Sequence, residues 1–109
     1  MNGTTRLYRP SDEDAVISVW RAASEIAHHF LTDAFFADEE RRIREIYLLN
    51  AETWVFEQQA AIVGFVALVG DEVGGLFVHP KSQRLGIGTA LMDLAVNRRG
   101  EIFLDVFKA

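Results

Sequence analysis

The chain of 109 residues contains no cysteine. That removes disulfides, thiolate metal sites and a cysteine nucleophile together. A long hydrophobic run is also missing. The N-terminal segment Met1-Asn2-Gly3-Thr4-Thr5-Arg6 lacks the apolar stretch of a signal peptide, and the longest apolar-rich run, Ala60 to Val69, has the length of a buried strand, not of a bilayer span. A cytoplasmic protein with no membrane partner is expected. Positive charge is scarce, with 11 bases against 16 acids and a formal net charge of −5. Such a balance argues against binding nucleic acid or an anionic membrane by bulk charge. There is no internal repeat, linker or low-complexity tract, so one domain spanning 1–109 is expected.

What remains is rich in core-forming residues. Half the chain is apolar and a quarter charged, which fits a globular domain and not a disordered one. A domain of this size buries about two thirds of the surface its unfolded chain exposes. Thr4 to Arg9 reads as a strand ended by Pro10. Ser11 then reads as a helix N-cap, with Asp12, Glu13 and Asp14 in the first turn. Val16, Val19, Trp20, Ala23, Ile26 and Phe30 follow at the spacing of one apolar helix face. A second helix from Thr32 or Asp33 would bury Phe36, Ile43, Ile46 and Tyr47. Its wet side would carry Asp38, Glu39, Glu40, Arg41, Arg42 and Arg44.

From Glu52 the texture becomes that of strands: 53–57, then a turn at Gln58-Gln59, then 61–69, apolar on both faces as a covered central strand should be. Gly70-Asp71 turns the chain into 72–78, which Pro80 ends. A loop and a helix ending at Gly100 precede a last strand, Ile102-Phe103-Leu104-Asp105-Val106-Phe107. The order is β-α-α-β-β-β-α-β, an α+β or mixed α/β class.

The chemistry sits in Gln83-Arg84-Leu85-Gly86-Ile87-Gly88-Thr89, between a strand and a helix. Two glycines one residue apart admit backbone angles closed to other residues and let a ligand reach the main chain. The helix start offers unpaired N–H groups and a partial positive charge suited to phosphate, and Arg84 adds a charged donor. A Walker loop requires a lysine after Gly88, which is absent, and a dinucleotide fingerprint requires glycine where Leu91 stands. A tight strand-to-helix turn with no ligand is the remaining alternative.

The wider segment Leu76-Phe77-Val78-His79-Pro80-Lys81-Ser82-Gln83-Arg84-Leu85-Gly86-Ile87-Gly88-Thr89-Ala90-Leu91-Met92 resembles the acetyl-CoA-binding core of the GCN5-related N-acetyltransferases (GNAT). Gln83, Gly86 and Gly88 fill the family's Gln/Arg-x-x-Gly-x-Gly/Ala places, and Val78 and Pro80 its preceding turn. Arg6-Leu7-Tyr8-Arg9-Pro10 is similar to the family's first strand and Ile62-Val63-Gly64-Phe65 to its third. The His-containing segment His28-His29-Phe30-Leu31 resembles the join between the first two helices of small bacterial members.

The resemblance implies the acyl-CoA N-acyltransferase fold, with acetyl-CoA as cosubstrate, no metal, and direct transfer to an amine. The backbone of Leu76, Phe77 and Val78 would pair with the pantetheine arm. The N–H groups of Arg84, Leu85, Gly86, Ile87, Gly88 and Thr89 would hold the pyrophosphate. The Val78 N–H would polarise the thioester carbonyl. The family's general base, often a glutamate on the fourth strand, aligns with Val73. Glu72 is adjacent but on the opposite face of a strand. His28, His29 and Glu57 are the other candidates, and Glu72 and His28 are taken forward.

Relative to the family pattern the chain looks truncated after its fifth strand, lacking the C-terminal helix, with its acid tyrosine, and the last two strands. Tyr8 and Tyr47 match no such place. A catalytically inactive CoA-binding or interaction module is therefore the alternative to an N-acetyltransferase. The apolar fifth strand, Ile102 to Phe107, is expected to pair with a second copy in a homo-oligomer. The acceptor amine is not named by the sequence.

Overall fold

The computed structural model describes residues 3–27, 31–70, 72–83, 85–99 and 103–104. The elements are β1 (Thr4–Leu7), α1 (Glu13–Ala27), α2 (Asp33–Arg42), α3 (Leu48–Asn50), β2 (Glu52–Gln58), β3 (Ala61–Val69), β4 (Glu72–Val78), α4 (Ile87–Arg99) and β5 (Phe103–Leu104). A π-helical turn, Ile43–Tyr47, joins α2 to α3. The expected α+β order is thus observed. One sheet runs β1-β2-β3-β4-β5. Its first four strands are antiparallel neighbours, and β5 lies parallel to β4 through the pairs Glu72↔Phe103 and Val73↔Leu104. Of the last strand expected from the sequence, Ile102, Asp105, Val106 and Phe107 lie outside the described residues.

Two cores lie on opposite faces of this sheet. On one face α1 and α2 bring Val16, Val19, Trp20 and Phe36 against Val55 and Phe65. On the other, Ile87, Leu91 and Ala95 of α4 cover Phe56, Val66, Leu68, Val73 and Val78. β3 supplies both cores, Phe65 to one and Val66 and Leu68 to the other, which is why it reads as apolar on both faces.

The structure corrects several local expectations. The strand stops at Leu7, and Pro10 opens a 3-10 turn that runs into α1. Proline suits that first position because the N–H it lacks would be unpaired there. The capping carboxylate is Asp12, not Ser11: it accepts the Arg9 N–H at 2.8 Å and holds Arg6 at 2.8 and 3.0 Å. The Arg6 guanidinium, with help from the Arg9 N–H, keeps the Asp12 carboxyl below its ordinary range against the cost of burial. In α1, Ile17 joins the buried stripe while Ile26, in the last turn, is 67% exposed.

The β2–β3 turn is Gln59-Ala60, one residue later than expected, with both residues at positive φ (52° and 64°). Along the second helix, Phe36 is buried as expected, but Ile46 and Tyr47 are about half exposed and Leu48 is buried instead. The π turn explains this: Leu48 N–H donates to Ile43 O, adding one residue to the turn and rotating the following side chains off the register that a regular helix would keep.

Candidate functional site

β4 offers an unusual strand edge. Gly64 stands opposite Val78, and His79 N–H donates to Val63 O at 2.8 Å. In an antiparallel ladder bonded and non-bonded pairs alternate, so Phe77 exchanges bonds with Phe65, while the N–H and C=O of Leu76 and Val78 point away from β3. The neighbour on that side, β5, pairs with β4 only at Glu72 and Val73 among the described residues. Among the described residues, no strand pairs with Leu76 or Val78 on that side. The ladder between β3 and β4 carries a bulge: Ala67 pairs with Gly75 but Leu68 with Val73, which leaves Gly74 as the extra residue.

The turn after β4 is held by its own side chains. His79 Nδ1 accepts the Lys81 N–H at 3.1 Å, and Gln83 Nε2 donates to Val78 O at 3.2 Å. Gln83 thereby satisfies the one outward carbonyl at the strand's end. Gly86 has φ 81°, a conformation that favours glycine, and its carbonyl accepts Ala90 N–H at 3.0 Å as the first bond of α4.

The N–H groups of Ile87, Gly88 and Thr89 are therefore the open donors of the helix start. A Cβ on Gly88 would sit 3.9 Å from both Leu76 and Val78 side chains, so the helix start lies over the end of β4. Gly64 makes that closeness possible, because a Cβ there would lie 3.1 Å from Ile87, 3.2 Å from Leu91 and 3.2 Å from Phe77 O. Of the residues expected to bind the cosubstrate, Leu76, Phe77, Val78, Gln83, Leu85, Gly86, Ile87, Gly88 and Thr89 are gathered at this strand end and turn, whereas Arg84 lies outside the described residues.

On the other face of β4 lies a cavity of about 180 Å³ between the sheet and the helices. Trp20 of α1, Glu39 of α2, Ile43 and Tyr47 of the π turn, Phe65, Phe77 and the Gly74-Gly75 bulge line it. Sequence reasoning missed Trp20, Glu39 and Tyr47 as site residues. The Gly-Gly doublet inside a strand was the one available signal, since glycine there marks a bulge or a close approach.

Glu72 is exposed and stands opposite Val69, so the two share a face, and Val69 lines the cavity. Val73, the aligned base position, is buried on the α4 side. Glu57 is ion-paired to Arg6 at 3.4 Å, away from the cavity. His28 and His29 lie outside the described residues. Among the described residues, no group of three or more His, Cys, Asp or Glu is arranged to hold a metal ion, and no helix is long and apolar enough to cross a membrane.

The family model of the acetyltransferase (GNAT) domain matches residues 49–108. The peptidyl-lysine N-acetyltransferase YiaC of Escherichia coli is 32% identical over 99 residues, covering 90% of this chain and 68% of that protein. The solution structure of apo-form YjaB from Escherichia coli superposes with a TM-score of 0.83 at 25% identity, over 95% of this chain and 71% of that one. The PaiA N-acetyltransferase from Thermoplasma acidophilum, solved in complex with coenzyme A, shares the fold with a TM-score of 0.77 at 15% identity, over 92% of this chain and 73% of that one. The chain thus spans about two thirds of the length of the curated relative. With the family model over more than half of the chain and a curated relative at 32% identity, the bulged fourth strand and the glycine-started helix over its end are those of an acetyltransferase (GNAT) domain, and the chain belongs to the GNAT family.

Proposed function

We propose that the chain transfers an acetyl group from acetyl-CoA to a primary amine, the side chain of a protein lysine, by direct attack. The observation that carries this reading is the outward backbone of Leu76 and Val78 running into the open N–H groups at the start of α4. The residues fit the cosubstrate. The strand edge has the donors and acceptors for the amides of a pantetheine arm. Gly86 and Gly88 leave main-chain N–H groups accessible to a pyrophosphate at the positive end of a 13-residue helix.

In this reading the Val78 N–H polarises the thioester carbonyl. The amine nitrogen bonds to that carbon and the C–S bond breaks. Of the two protons the acceptor ammonium sheds, one passes through water to Glu72, on the cavity face, before attack, and the other passes to the departing sulfur as the adduct collapses, so CoA leaves as the thiol. Self-association through residues 102–107 remains part of the proposal. Sedimentation at low micromolar concentration tests it, and a monomer there refutes it.

The lysine acceptor takes its support from YiaC, whose name is that of a peptidyl-lysine N-acetyltransferase. Release of free thiol from acetyl-CoA with lysine-bearing peptides, run beside a CoA titration, tests the whole reading. Amine-dependent turnover supports it. A chain that binds CoA without turnover refutes the activity, and one that does not bind CoA refutes the site.

A further inference from the structure

The cavity beneath the β4 bulge carries a feature the proposed chemistry has not used. Its described walls are apolar and aromatic side chains and glycines, and Glu39 is the one charged residue among the described lining. Glu39, Ile43 and Tyr47 follow at four-residue steps and all face it. The other carboxylates of α2 and the π turn lie closer to arginine: Asp33 to Arg21 at 3.6 Å, Asp38 to Arg41 at 2.7 Å, Glu40 to Arg44 at 3.2 Å and Glu45 to Arg41 at 3.4 Å. Glu39 reaches its cation, Arg42, only at 4.0 Å. That pair is at the outer limit of an ion pair and partly exposed, and Arg42 is shared with Asp38 at 3.4 Å. Such a pair holds the carboxylate weakly.

We propose that Glu39 recognises the ammonium of the incoming lysine, while Trp20, Ile43 and Phe77 take its aliphatic stem. This inference rests on the acetyltransferase reading above and adds the residue that selects the acceptor. The complementarity is specific: a lysine is a compact charge on an apolar four-carbon stem. An apolar cavity with a single carboxylate matches both parts. Glu39 acts here as a binding group for the substrate cation and is distinct from the base that receives the proton.

The test is a titration of an Nα-acetylated peptide with a single lysine into the chain, followed by chemical shifts, with and without CoA. Glu39→Gln is expected to weaken peptide affinity at least tenfold and leave CoA affinity unchanged. Glu40→Gln, with the same change in net charge one position away, is expected to stay within twofold of the parent. A peptide with norleucine in place of lysine should not distinguish the parent from Glu39→Gln.

Equal peptide affinity for the parent and Glu39→Gln overturns the inference, as does an equal loss in Glu40→Gln or a parent that does not bind the peptide. Failure of the parent to bind CoA refutes the cosubstrate site, and the peptide comparison still decides the role of Glu39.

Discussion

Replacing Gly86 separates two consequences of its geometry. With φ at 81°, Gly86 occupies the left-handed region just before α4. A non-glycine residue there costs about 1–2 kcal/mol, and a β-branched one is the least tolerated. Loss of glycine's freedom in the unfolded chain returns up to about 1 kcal/mol. The net destabilisation expected for Gly86→Val is therefore about 1 kcal/mol, a fall of roughly 4–8 °C in Tm for a domain of this size.

CoA affinity should fall far more, because the new side chain stands where a pyrophosphate must approach the main chain. Gly86→Asn isolates that effect, since asparagine tolerates positive φ while still adding a side chain. Its Tm should stay near the parent value while its CoA affinity drops. Thermal melts paired with calorimetric titration of CoA read both quantities. If either variant stays folded and binds CoA as tightly as the parent, the placement of the pyrophosphate at this turn is wrong.

Ala60 sits at φ 64° in the β2–β3 turn, so Ala60→Gly should raise stability by about 0.5–1 kcal/mol, measurable by urea unfolding, with no change in CoA binding. Gly64→Ala places a methyl 3.1–3.2 Å from Ile87, Leu91 and Phe77 O, so it should cost about 1–3 kcal/mol and weaken CoA binding by lifting the helix start from the strand. Asp12 has a folded-state pKa below its unfolded value, so its contribution is present above pH about 4 and is lost as pH falls through the lower, folded value. Stability of the parent should therefore drop on acidification below about pH 4, and Asp12→Asn should flatten that part of the profile while lowering stability at neutral pH.

The strand order and the glycine turn were legible because they depend on local signals: alternation, apolar runs, and two glycines before a helical pattern. The residues that shape the cavity were not. Glu39 sits in a run of mixed charge, Asp38 to Arg44, that reads as a uniformly wet helix face. Only the packing of α2 against the sheet turns one of those carboxylates toward Phe65 and Phe77. Ile43, Ile46 and Tyr47 have regular helical spacing, and nothing in that spacing signals the shifted hydrogen bond that buries Leu48 instead. Ser11 and Asp12 have similar intrinsic capping propensity, and Asp12 wins because it serves the Arg9 N–H and the Arg6 guanidinium at once. The face of the sheet that Glu72 takes likewise depended on the register opposite Val69, which the bulge at Gly74 resets.

In the proposed complex acetyl-CoA lies along the outward backbone of Leu76 and Val78, with its pyrophosphate at the start of α4. Backbone amide shifts during a CoA titration test this placement most directly. The largest changes are expected at Leu76, Val78, Gly86, Gly88 and Thr89, with little change along β1 or at Gln59 and Ala60. Changes confined to β1 and the α1–α2 surface, with Val78 and Gly88 unmoved, would contradict it.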